Sequence, residues 1–326
     1  MRAGIVVLLA AAAAVGCSGS EQTRAPSATA PACESPPPAD GVVVTIFHET
    51  HTHGRLAGTH DRSHNVSFAR YVGLIDALRS CLSDPKNALF VGNGDDLSVD
   101  LNGVVTEGGH TIDAFNAAEI SADTYGFSEV EVLGVLRERV AASRFPWVSA
   151  NVREATDLGE VYAAEQGARR WIVVDVGGVQ VGITGVLGAR FNEEGFPLPR
   201  ETESEVRVLD PVRTMRQVVP EMRADGAQIV ILLSHMIHED TLRVVRSVEG
   251  IDAALGTHLG EATFQPDVVN GTIVAVAGPD EMQGLGQLDL VIRGGRIVDY
   301  TWQRHTPSAA DPVDPEVEAA LAEYVG

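Results

Sequence analysis

Short apolar runs that end in side chains able to bind a metal or hold a proton constrain this chain more than any other feature. The run "VVVTIF" (42–47) leads into "HETHTHG", and "NALFVG" (87–92) leads into "NGDD". "AQIVILLSH" closes on His235 and "IDAALGTH" on His258. The runs are too short for helices and continuously apolar, so they predict strands buried on both faces. Amphipathic stretches separate them. Helices are expected from Ser67 to about Leu82, over 111–119, over 128–143, across "PVRTMRQVVPEMRADG" and across "HEDTLRVVRSV". Two further apolar pairs, "WIVVDVGGVQVGITGVLG" and "GQLDLVIRGGRIVDYTW", are hairpins about Gly-Gly turns. Strands alternating with helices, plus hairpins, give an α/β protein with a mixed sheet. In such folds, sites assemble at the C-terminal ends of the strands.

With 326 residues and 44% hydrophobic content, the chain can bury a core in one large domain or two small ones. The formal charge of −21 disfavours a nucleic acid polymer or an anionic membrane surface as a partner. A small phosphate-bearing ligand would have to meet local positive charge, such as a metal ion. The N-terminal "MRAGIVVLLAAAAAVGC" resembles a bacterial lipoprotein signal, which implies removal of residues 1–16 and lipidation of Cys17. An ordinary secretory signal stays open beside it; either reading exports the chain to the cell envelope. Residues 17–40 read as a Ser/Ala/Pro tether and 41–326 as the folded domain. Cys33 and Cys81 are expected to pair in that oxidising compartment.

Taken in order, "HETHTHG", "GNGDD", "YGFSEVE", "LLSHMIHED" and "LGTHLGE" resemble the motif series of the calcineurin-like metallophosphoesterases, in the 5′-nucleotidase branch. "FPWVSANV" and "GVQVGITGV" are similar to the connecting sequence of that branch, and the resemblance covers about Val42 to Thr301. It implies a four-layer α/β/β/α sandwich and two metal ions that share a bridging carboxylate and polarise a phosphate. Position by position, His53 matches a ligand of the first metal, Asp95 the bridging carboxylate, and His235 and His258 ligands of the second. The match then departs from the family. Its leading Asp is His51 here, its Asn ligand is Phe127, its catalytic His is Ser128, and the final His of its last motif is Gly260. Family members usually continue into a second, base-gripping domain, and the expectation is that this chain lacks one, which leaves nucleotide specificity open.

These departures predict altered metal chemistry. Asp95 is left as the clear anionic ligand, so one metal on His51, His53, Asp95 and either His235 or His258 stands beside a pair as an open alternative. Imidazole-rich ligation suits zinc, iron, manganese or copper better than magnesium or calcium. His48 is expected behind the ligands, while His60, His64, His110 and His238 are expected on the surface or in loops. Ser128 reads as a helix N-cap rather than a nucleophile. Two functions compete on these residues: an exported, metal-dependent hydrolase of phosphoesters or related esters, and an inactive metal-binding lipoprotein. A purely structural lipoprotein explains the retained ligands less well.

Overall fold

The computed structural model describes residues 41–57, 66–97, 105–131, 133–188, 205–258, 262–278 and 281–324. The signal and tether, Cys17, Cys33, His60, His64 and Gly260 lie outside them. In chain order the first elements are β1 (Val42–His48), α1 (Phe68–Arg79), β2 (Ala88–Val91), α2 (Gly109–Ala117), β3 (Asp123–Thr124), α3 (Phe127–Glu131) and α4 (Leu133–Ala142). Next come β4 (Trp147–Val148), β5 (Val152–Glu154), β6 (Ile172–Val176), β7 (Val179–Leu187), β8 (Val206–Val208) and α5 (Pro211–Ala224). The remainder is β9 (Ile229–His235), α6 (His238–Ser247), β10 (Ala253–Leu255), β11 (Asp267–Val269), β12 (Thr272–Ala275), β13 (Leu285–Arg293), β14 (Arg296–His305) and α7 (Pro315–Ala322).

Two mixed sheets face each other, one ordered β14-β13-β1-β2 and the other β11-β12-β10-β9-β7-β6. Successive side chains of a strand point to opposite faces, so a continuously apolar run feeds two cores and explains the layering. In β1, Val44 and Ile46 turn inward to meet Ile229, Ile231 and Leu233 of β9 between the sheets. Phe47 turns the other way, into a second core with Phe68, Tyr71 and Ile75 of α1 and Phe115 of α2. Val230 and Leu232 of β9 likewise turn outward, onto Met215, Val218 and Met222 of α5 and Val244 of α6. Three apolar layers between four layers of structure make an α/β/β/α sandwich, as the resemblance implied.

Local chemistry sets the ends of the elements. Ser67 caps α1 through the Arg70 amide, and Asp210 caps α5 through the Arg213 amide with Pro211 in the first turn. Both hairpins turn on glycine pairs at positive φ: Gly177–Gly178 (61° and 85°) and Gly294–Gly295 (56° and 73°). The helix expected over 128–143 corresponds to α3 and α4, on either side of residue 132, which lies outside the described set. Parallel pairing of β1 with β2, and of β7, β9, β10 and β12 in the other sheet, brings their C-terminal ends to one rim. Cys81, just past α1, is disulfide-bonded, and its partner lies outside the described residues.

Candidate metal centre

Buried carboxylates lace together the loops that follow β1 and β2. Glu49 accepts the His51 amide through Oε2 (2.5 Å) and the Asn93 amide through Oε1 (3.0 Å). Asp96 Oδ1 accepts both the amide and the hydroxyl of Thr52, each at 2.7 Å. The His53 amide donates to the Asp95 carbonyl (2.9 Å). From the first turn of α3, Glu129 accepts the amides of Gly126, Asp95, Asp96 and Leu97. These bonds hold His51, His53 and Asp95 at φ of 77°, 53° and 61°, in the left-handed region that side chains other than glycine rarely occupy.

Three imidazoles converge at this rim. One nitrogen each from His51, His235 and His258 lies within 4.8 Å of the others, and all three side chains are buried. Their orientation follows from what the opposite nitrogen does. His51 Nε2 donates to the Thr257 carbonyl (3.1 Å), which leaves the lone pair on Nδ1. His235 Nδ1 donates to the Asn93 carbonyl (2.7 Å), which directs Nε2 at the cluster. His258 Nδ1 lies 2.9 Å from His235 Nε2. Asp95 Oδ2 stands 3.1 Å from His235 Nε2 and 3.4 Å from His258 Nδ1, while its other oxygen accepts the Ser128 amide (2.6 Å). Imidazole nitrogens, two of them on rings whose tautomer a backbone carbonyl fixes, with one carboxylate beside them suit a divalent transition ion.

Protonation is set by burial and by Asp95. Burial, and then the charge of His235, hold His51 well below the ordinary histidine range, so its ring is neutral near pH 7. Burial also opposes charge on His235, but the Asp95 carboxylate, its hydrogen bond and the Asn93 carbonyl together raise its pKa. For Asp95, burial works against ionisation, and His235 with the hydrogen bonds from both histidines outweighs it, holding the acid well below its usual value. Burial pushes His48 down to about 4, against the Glu49 carbonyl. Asp96 and Asp123 are raised well above the ordinary carboxylate range, by burial first and then by neighbouring acids.

The structure therefore gathers His51, His235, His258 and Asp95. His53 stands outside that group: its ring stacks on His51 (centroids 4.8 Å apart) and its Nδ1 faces Glu281 Oε1 at 3.7 Å. Phe127, where the family carries an Asn, packs edge-on against His235 and His258, with centroids 5.6 and 4.9 Å away. Ser128 is inside α3 rather than its cap, and its hydroxyl donates to Glu129 (3.0 Å). His110 is not a surface residue: it is buried, held between Thr106 and the Gly54 carbonyl. His238 is turned away to Asp267, and His48 lies buried against Trp302.

Several supporting residues carried no sequence signal of their own. Asn93 orients His235 with its carbonyl, and its side-chain amide donates to the Thr257 carbonyl (2.9 Å), the same oxygen that orients His51. Gly256 makes room for it, since a Cβ there would meet Asn93 Oδ1 at 1.9 Å. Its place in "GNGDD", two residues before Asp95, was the only hint of Asn93, and Glu281 had none.

No family model matches the chain. In sequence it is 26% identical over 302 residues to the 2′,3′-cyclic-nucleotide 2′-phosphodiesterase/3′-nucleotidase of Haemophilus influenzae, covering 78% of this chain and 44% of that protein. The chain thus spans under half the length of that curated relative. In fold it is similar to a 5′-nucleotidase precursor from Thermus thermophilus (TM-score 0.72, 25% identity, 87% of this chain and 58% of that one). The calcineurin-like phosphoesterase YfkN from Bacillus subtilis aligns at a TM-score of 0.70 with 21% identity, over 88% of this chain and 97% of that one. The sandwich, the order of the loops that carry the site and these likenesses together support the calcineurin-like phosphoesterase superfamily and, within it, the 5′-nucleotidase branch.

Proposed function

We propose that the chain is an exported, lipid-anchored, metal-dependent hydrolase of small phosphoesters. The observation that carries this reading is the convergence of His51, His235 and His258 with Asp95 against two of them. These residues would hold a divalent transition ion, with zinc, iron, manganese and copper as the candidates. Such an ion supplies Lewis-acid polarisation of a phosphoryl oxygen. The chain's own groups fix the rings through the Asn93 and Thr257 carbonyls, and burial keeps His51 neutral and ready to donate. With one carboxylate among the donors, the loaded site is positive inside a chain of charge −21, which favours an anionic ester over a neutral one.

Leaving-group protonation is the weak step. Ser128 stands where the family has its catalytic histidine, and its hydroxyl is spent on Glu129. Losing a general acid costs about 10²–10⁴-fold, so esters with good leaving groups should react best. 2′,3′-Cyclic nucleotides and 3′-nucleotides are the first substrates to test, since the Haemophilus relative is named for acting on them.

Phe127 supports a second reading, that of a metal-binding protein without turnover, because its ring packs against His235 and His258 where a ligand would otherwise stand. Metal analysis of tag-free protein, run beside a phosphoester panel, separates the two. Metal with turnover supports the hydrolase, metal without turnover supports the binder, and absence of metal removes both. For the anchor, a Cys17→Ala form should leave the membrane fraction; a cleaved form that stays there would rule out lipidation at Cys17.

A further inference from the structure

One ion pair lies against the histidines without belonging to them. Glu281 Oε1 accepts from Arg55 Nη1 and faces His53 Nδ1 at 3.7 Å, so a single carboxylate oxygen links the guanidinium to the wall of the site. Glu281 is held there firmly. Its amide donates to the His51 carbonyl (2.8 Å), and it and Met282 sit at φ of 64° and 61°. Arg304 donates to the Ala277 and Gln283 carbonyls on either side, and the Tyr71 hydroxyl donates to the Gly284 carbonyl (3.0 Å). Two consecutive non-glycine residues in the left-handed region are costly, and they persist only where the surroundings fix them.

The two arginines at this segment do different things. Arg304 is spent on backbone carbonyls and braces the loop. Arg55 is bound to a side chain and is 35% exposed, with Glu281 at 21% and His53 at 15%. A guanidinium at a solvent-reached edge of a metal-type site offers the planar fork that matches phosphate oxygens. In a chain of charge −21, such a group adds to the metal's pull on an anion.

We propose that Arg55 is the phosphate-binding arm of this site, and that Glu281 masks it until a phosphate or phosphoester takes the guanidinium over. This rests on the hydrolase reading and adds to it the group that recognises the anion. The mask has a clear signature. In a merely structural pair, removing either partner harms the same property in the same direction. In a masked arm, removing the arm weakens anion binding and neutralising the mask strengthens it.

The test is calorimetric titration of inorganic phosphate into the zinc-loaded full chain, with zinc content measured for every variant. Arg55→Gln should weaken phosphate binding about tenfold, the size of one lost charged hydrogen bond. Glu281→Gln should tighten it by up to about fivefold, as expected on releasing a partly exposed ion pair. Arg55→Lys, which keeps the charge without the fork, should fall between wild type and Arg55→Gln, and it keeps the test decisive if Arg55→Gln does not fold. If the wild type binds phosphate and turns over an ester while both neutralising variants weaken binding alike, or neither changes it, the masked-arm proposal is overturned and the hydrolase stands. If the zinc-loaded wild type neither binds phosphate nor turns over any ester, the hydrolase reading fails and the proposal falls with it.

Discussion

Asp95 Oδ2 lies 3.1 Å from His235 Nε2, with both side chains buried, so an acid held ionised and an imidazole with a raised pKa share one proton where a metal would bind. Metal and proton therefore compete for the same nitrogen. Because the His235 pKa is raised above its ordinary 6.5, the competing proton persists above that pH and is lost as pH rises through the folded value. Zinc affinity should climb by about tenfold per pH unit across that window if one proton is displaced. Chelator-competition titrations between pH 6 and 8 measure the slope. In Asp95→Asn, the largest offset to burial is lost and the proton should leave at lower pH, so the rise should shift downward on a weaker baseline. A flat profile in the wild type would show that His235 is not a ligand.

Asn93 touches no metal in the arrangement described, yet two of the three rings depend on it. Asn93→Ala removes the amide that shares the Thr257 carbonyl with His51 and opens space beside Gly256. Metal affinity should fall about 10- to 100-fold, the range for losing a partner that orients a ligand. Thermal melts of the metal-free form should show whether the loss follows from general unfolding. An unchanged affinity would mean that the rings are held by their own packing.

Asp123 is fully buried; one oxygen accepts the Gly94 and Thr124 amides, and the other has no hydrogen-bond partner among the described residues. Its pKa is raised, by burial first and then by Glu129, so the folded state retains a proton that the unfolded chain gives up near 3.8. Stability linked to this group is present at low pH and declines as pH rises from there toward the folded value. Asp123→Asn should therefore raise the melting temperature more at pH 8 than at pH 4. Equal effects at both pH values would place the benefit elsewhere.

Phe127 and Ser128 divide the two functional readings. Replacing them together by Asn and His restores a ligand and an acid without touching His51, Asp95, His235 or His258. If the wild type binds metal but is inactive, the double variant should gain phosphoester turnover, by about 10²–10⁴-fold for a restored general acid. Absence of any gain, with metal bound, would argue that His51 in place of a carboxylate is itself the block.

What the sequence disclosed depended on how local the signal was. The unbroken apolar runs "VVVTIF" and "AQIVILLSH" anticipate β1 and β9 closely, because a strand buried on both faces is written residue by residue. The meeting of His51 with His235 and His258 was legible only through motif order, since they come from the loop after β1, the end of β9 and the loop after β10, and their convergence is a property of sheet packing. The place of His53 was not legible: alternate spacing puts two side chains on one side of an extended strand, but positive φ at both His51 and His53 means that this segment is not extended. His110 misled for a related reason, because its burial depends on the Gly54 carbonyl, 56 residues earlier in the chain.

The left-handed backbone at His51, His53 and Asp95 also governs what these positions can become. Side chains branched at Cβ are strongly disfavoured there, while asparagine, aspartate and histidine are the residues best tolerated after glycine. Those three are also side chains that can donate to a cation. Mutation at this rim is thus filtered by chain geometry before any selection on activity, so a lost carboxylate at position 51 is more readily replaced by an imidazole or an amide than by an inert group. A catalytic apparatus built on such a frame can drift in metal and in reaction while remaining a place where ions bind.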